Sequence, residues 1–140
     1  MAATMQVELV SPERVVLSGE ATMVIVRTAG GGDIAFLPGH APFLGALVEW
    51  PAQIHLADGS VQRVAVHAGF VEVHDNTVSI LADTAELAED IDVARAEAAK
   101  QRAEARRDRD DDADAEAELR RAHARLAAAG GLGGTGVREH

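Results

Sequence analysis

The residues best placed to do chemistry are four arginines. Arg95 and Arg102 lie seven residues apart, and so on one face of a helix. Asp92 shares that face three residues earlier. Arg121 and Arg125 form an i, i+4 pair further along. If the two segments fold back on one another, four guanidinium groups converge. Like charges in one cleft are costly unless an anion fills it, and the planar guanidinium fork suits polyphosphate. The other reading is four solvated arginines paired with neighbouring Asp and Glu, and pattern alone favours it.

Other candidate constellations fail on spacing. Six histidines are scattered, and His67 and His74 are seven apart with no third ligand type nearby. The run Asp108-Arg109-Asp110-Asp111-Asp112 opens like a calcium loop. It then places Ala113 at the sixth position, where glycine is needed, and Leu119 at the twelfth, where a bidentate glutamate is needed. The C-terminal glycines lack the Lys-Ser/Thr ending of a phosphate-binding loop. No Ser/His/Asp spacing forms a nucleophile elbow, and there is no cysteine for thiolate or disulfide chemistry. No catalytic centre emerges from the residues.

The elements that must carry the arginines follow from where glycine and proline stop. Neither occurs between Phe70 and Ala129, whereas both punctuate the first 69 residues. Short apolar runs there alternate with turn residues, which is how strands read. The runs are Gln6–Val10, Val15–Leu17, Thr22–Thr28, Ile34–Leu37, Phe43–Val48, Gln53–Leu56, Val61–Val66, Phe70–Val73 and Val78–Leu81. Hairpins are expected at Asp58-Gly59 and at His74-Asp75-Asn76. Eight to ten short strands predict a sandwich or flattened barrel.

A helical arm is expected from about Asp83-Thr84. Asp90 is placed to cap a helix that begins at Ile91 and runs to about Arg107. A second helix opens in the aspartates around Asp108–Asp114 and ends at Gly130. Its stripe of Leu119, Ala122 and Leu126 is thin, so the two helices are expected to dock only marginally. Nothing in the arm forbids one long rod instead of a hairpin. The glycine-rich segment 130–140 is expected to be a disordered tail.

Composition bounds the class. A chain of 140 residues holds one domain with room for an appendage. It is 47% hydrophobic but only 3% aromatic, so the β part must pack on Val, Leu, Ile and Met. A net charge of −10 argues against nucleic acid as a partner, although ten of the thirteen basic residues lie after residue 94. No apolar run approaches about 18 residues and no signal-peptide pattern is present, which predicts a cytoplasmic protein reaching a membrane only through partners.

Three segments match a known family. Ile34-Ala35-Phe36-Leu37-Pro38-Gly39-His40-Ala41-Pro42 resembles a signature of the epsilon subunit of the rotary F-type ATP synthase. Gly69–Val73 and Val78–Ala85 look like later strands of that family, and Ile91-Asp92-Val93-Ala94-Arg95-Ala96 is similar to its helical signature. The matches run in unbroken order from residue 4 to about 126.

The resemblance implies a mainly β plus α fold: a flattened β-sandwich of about ten strands over residues 1–86, then an antiparallel two-helix hairpin over 87–129. It implies a non-catalytic central-stalk subunit that couples proton translocation to ATP synthesis. The sandwich would join the gamma subunit to the c-ring, with Asp33 and His40 on the c-ring face. The arm would inhibit ATP hydrolysis when extended into the alpha/beta head. No cofactor is required. In some members the folded hairpin binds ATP as a regulatory ligand, which here implies Glu86, Ile91, Asp92, Arg95, Arg102, Arg121 and Arg125. The protein would then sit peripherally on the cytoplasmic face of the cell membrane, within the complex. The alternative is a free-standing nucleotide-sensing adaptor.

Overall fold

The computed structural model describes residues 3–109 and 113–130. Seven strands come first: β1 (Met5–Val10), β2 (Val15–Thr28), β3 (Gly32–Phe36), β4 (Phe43–Leu47), β5 (Trp50–Leu56), β6 (Val61–His74) and β7 (Thr77–Leu87). A single 3-10 turn, Ala88–Asp90, leads to α1 (Val93–Arg109) and α2 (Ala113–Gly130). The two expected hairpin turns are present. Asp75 and Asn76 both take positive φ, as a tight turn between right-twisted strands requires. At the other, Asp58 accepts the Ser60 N–H and Gly59 has φ +94°.

Strand pairing resolves into two layers. In one, β4 pairs with the second half of β6, which pairs with the first half of β7; that half lies parallel to β1, and β1 is antiparallel to the start of β2. In the other, β3 pairs with the second half of β2, followed by β5, the first half of β6 and the end of β7. Three strands therefore pass from one layer to the other. Ten strand segments belong to seven continuous strands, so the expected flattened sandwich is present with fewer chain breaks than the sequence suggests. Ser18-Gly19, which separates the runs Val15–Leu17 and Thr22–Thr28, stays inside β2 and pairs with Val7 and Glu8.

The core explains the crossings. Side chains alternate faces along a strand. In β6, Val64 and Val66 point into the core, then Val71 and Val73 do. In β7, Val78, Ile80 and Ala82 do so, then Ala85. The inward parity changes in both strands at the same level, so each turns its other face toward the shared core as it passes between the layers. In β6 the change is made at Ala68 (φ 64°) and Gly69 (φ 132°). Between the layers pack Leu9, Val24, Phe36, Ile54 and Ile80, all fully buried.

The arm begins later than its sequence suggests. β7 continues through Asp83 and Thr84 to Leu87, because Thr84 to Leu87 still pair with His67 to Val64. Asp90 does not cap a helix; it closes the 3-10 turn. Asp92 is the cap: its Oδ1 accepts the Arg95 N–H at 3.0 Å, and its carbonyl accepts the Ala96 N–H. The helix therefore starts at Val93 instead of Ile91, and it runs to Arg109. Asp114 stands in the first turn of α2; of the tail expected to be disordered over 130–140, Gly130 is the last residue of α2, while residues 131–140, like Asp110 to Asp112, lie outside the described residues.

The helices form a hairpin, with α2 lying on the sandwich against β5 and β6 and α1 packed on α2. Their contact is mostly alanine, with Ala96, Ala103, Ala115 and Ala122 buried together with Leu119. Beneath α2, Ala65 of β6 meets Ile91 and Ala128, with Ala88 and Ala129 at the edge. This apolar patch is separate from the sandwich core and much smaller.

The crossing of β6 generates a test. A Cβ at Gly69 would overlap the Leu81 carbonyl oxygen and Ala82 Cα, both backbone atoms, at a φ that disfavours side chains. Gly69→Ala is expected to cost more than about 2 kcal/mol of stability, read as a lower urea midpoint at unchanged slope.

Candidate functional site

A cleft of about 440 Å³ opens where the arm leaves the sandwich. It is lined by Glu86, Asp90, Asp92, Arg95, Arg102 and Arg125, with Ala96 and Ala99 as its floor. Four elements build it. β7 ends on Glu86, the 3-10 turn supplies Asp90, the helix cap supplies Asp92, and the two helices supply the arginines. The seven-residue spacing of Arg95 and Arg102 places both on one face of α1, and the fold turns that face toward α2.

Three guanidinium groups thus share one cleft with three carboxylates. One pair is already engaged. Arg125 Nε donates to Glu86 Oε1 at 2.6 Å, joining α2 to β7. The same oxygen lies 3.0 Å from His67 Nε2 on β6. Burial pushes the Glu86 carboxyl up, but the hydrogen bonds from Arg125 and His67, with their charges, outweigh it and hold the group below the usual carboxylate range. Arg95 and Arg102 make no ion pair among the described residues, so two guanidinium groups face the cleft uncommitted.

The remaining expected residues fall elsewhere. Arg121 does not line the cleft, although it sits one turn from Arg125. Ile91 is buried in the apolar patch under α2. Asp33, at the start of β3, is held by Arg27 through Nε at 2.8 Å, and Arg27 also lies over the Trp50 ring at 4.0 Å. His40 lies beyond the other end of β3. Its ring meets Phe36 edge-on and its Nδ1 is 2.7 Å from the Ala41 carbonyl. Nothing bonds Asp33 to His40.

Three polar residues of the region were not legible as site residues. Asp90 resembles a helix cap in sequence. His67 follows an apolar run and carries no spacing signal, yet it is buried beneath α2. Glu49 is a lone acid that holds Arg120 of α2 at 3.1 Å. No group of three or more His, Cys, Asp or Glu among the described residues is placed to hold a metal, and no described helix is long and apolar enough to cross a membrane.

Comparison with known proteins decides the family. Residues 4–88 match the beta-sandwich domain of the ATP synthase delta/epsilon chain, and residues 89–130 match its long alpha-helix domain. The chain is 47% identical over 131 residues to the ATP synthase epsilon chain of Streptomyces coelicolor, covering 94% of this chain and 99% of that one. It is 50% identical over 103 residues to the epsilon chain of Streptomyces avermitilis, covering 74% of this chain and 82% of that one.

The chain belongs to the ATP synthase epsilon-chain family.

Epsilon chains are a structural and regulatory subunit of the complex and not the catalytic one. The fold also recurs in a chain of the Euglena gracilis mitochondrial ATP synthase, with a TM-score of 0.72 over 95% of this chain and 81% of that one at 21% identity.

The cap at the mouth of the cleft is testable. Asp92→Ala removes the acceptor of the Arg95 N–H and is expected to cost about 1 kcal/mol. Faster amide exchange confined to the first turn of α1, with the sandwich unchanged, is the expected reading.

Proposed function

We propose that this epsilon chain is the central-stalk subunit that joins gamma to the c-ring, on the cytoplasmic face of the membrane, with its helical arm as the regulator of ATP hydrolysis. The observation that carries the proposal is an apolar row on the sandwich face away from the arm. Ala46 pairs with Phe70, Phe70 with Leu81, Leu81 with Val10, and Val10 with Val15. These five side chains share the outer surface of one layer across five strand segments. Phe70 is 54% exposed, Leu81 50% and Val15 56%, and Leu44 extends the row at 71%. Large contiguous apolar surface of this kind marks a protein interface. A rotor subunit must hold gamma firmly under torque, and this face is free to do so while α2 covers the other. Asp33 and His40, near the two ends of β3, would meet the c-ring. The arm, released from β5 and β6, would reach the alpha/beta head and obstruct rotation.

Gamma binding tests this directly. Phe70→Asp and Leu81→Asp replace exposed side chains, so folding is retained. Each is expected to weaken capture of gamma by roughly thirtyfold, on the order of 2 kcal/mol. Full gamma binding by both variants would remove the sandwich face from the interface. A free-standing adaptor would capture no gamma at all.

ATP is the ligand proposed for the cleft. Arg95 and Arg102 would take phosphate oxygens, and Arg125 would join them by exchanging Glu86 for the ligand. Each charge-assisted contact contributes about 1.5–3 kcal/mol, so Arg102→Ala is expected to weaken ATP binding roughly tenfold or more in calorimetry. Absence of any binding heat at millimolar ATP would leave the arginines as solvated partners of the arm's acids.

A further inference from the structure

Beneath α2 lies a titratable group that neither the cleft nor the gamma face uses. The His67 side chain is 4% exposed. Glu86 is ionised and can only accept, so His67 Nε2 carries the hydrogen and donates it to Glu86 Oε1. The other ring nitrogen, Nδ1, is buried with no hydrogen-bond partner. Glu86 Oε1 also accepts from Arg125 on α2. One carboxylate oxygen thus ties β6, β7 and the arm together. We infer that His67, Glu86 and Arg125 form a proton-sensitive latch that holds the arm on the sandwich at neutral pH and lets it go as the pH falls.

The geometry supplies the reason. A second proton on the docked imidazole must sit on Nδ1, where no acceptor waits, and the resulting cation must share its carboxylate with Arg125. Every charged group that faces His67 enters the balance. Glu86 on β7 and Glu49 ahead of β5 favour the imidazolium; Arg125 on α2 opposes it. Arg63 lies on the same face of β6, and its buried Nε also has no partner. Burial is the largest influence and lowers the His67 pKa, the Glu86 hydrogen bond opposes it, and the net direction is down. When α2 lifts, the ring meets water and recovers its ordinary value of about 6.5. The undocked form therefore binds the proton more tightly. Docking is at full strength above about pH 6.5 and weakens as the pH falls below it. Glu86 is held low and stays ionised through this window.

The arm is held lightly enough for such a term to matter. Besides the latch, it is held by the Arg120–Glu49 ion pair, the small patch of Ala65, Ile91 and Ala128, and the packing of α2 on β5.

The full chain has no cysteine, so Glu13→Cys with His123→Cys places one label on the sandwich and one on α2, both at exposed positions. The inter-label distance then reports docking between pH 7.5 and 5.5. The docking constant is expected to fall across this range, by no more than about tenfold. His67→Gln keeps a donor for Glu86 and should remove the fall. His55→Gln removes the other histidine whose pKa is lowered, mainly by burial, and should leave the fall in place. A flat response in the parent, or an unchanged fall in His67→Gln, overturns the latch. Nitrogen-resolved NMR of His67 in the labelled parent is an independent measure. Titration that accompanies loss of docking supports the inference, and an ordinary titration with the arm still docked overturns it.

Discussion

The structure depends on the passage of β6 from one layer of the sandwich to the other. Side chains alternate along a strand, and a strand can change which parity points inward as it moves between two layers of one core. β6 does so at Ala68 and Gly69, where φ is positive at both residues. That one change sets the orientation of everything it carries. Before it, Val64 and Val66 fill the core while Ala65 and His67 face α2. After it, Val71 and Val73 fill the core while Phe70 faces out. The arm-docking face and the exposed apolar row are thus opposite products of the same kink. They lie on different layers and can be used together.

The two faces rest on different physics. The outer row of Phe70, Leu81, Val10 and Val15 presents branched and aromatic surface, which gains most from being removed from water. Under α2 the surface is alanine, one isoleucine and a group of charges. Alanine contacts bury little area, and partly exposed ion pairs contribute little each. A surface of the first kind suits a lasting joint. One of the second kind suits a contact that is made and broken within the lifetime of the molecule, and whose balance small changes in charge can move.

The cleft at the root of the arm combines both requirements. Glu86 is fixed by strand pairing at the end of β7, whereas Arg125 arrives on the movable helix. Arg95 and Arg102 are aligned by helical spacing alone and wait without carboxylate partners. A polyanion held by these arginines would replace the Glu86–Arg125 ion pair with its own contacts, so ligand and latch would compete for one guanidinium group.

The sequence by itself determined the local elements, because they follow from residue-level chemistry. Turn residues marked the hairpins at Gly59 and Asp75-Asn76, and the absence of glycine and proline marked the arm. Helical spacing put Arg95 with Arg102. It could not show that Val61–Val66 and Phe70–Val73 are one strand, since a parity change reads as a break until both layers are present. Local pattern also misplaced the helix start: Asp90 and Asp92 are equally good caps, and only the continuation of β7 to Leu87 selects Asp92. Which arginine meets which acid was decided by tertiary structure. Docking α2 on β5 and β6 brought Arg125 to Glu86 across 39 residues and Arg120 to Glu49 across 71. His67 became a buried titratable group for the same reason. Burial is a property of what packs above a side chain, and nothing in the neighbouring sequence encodes it.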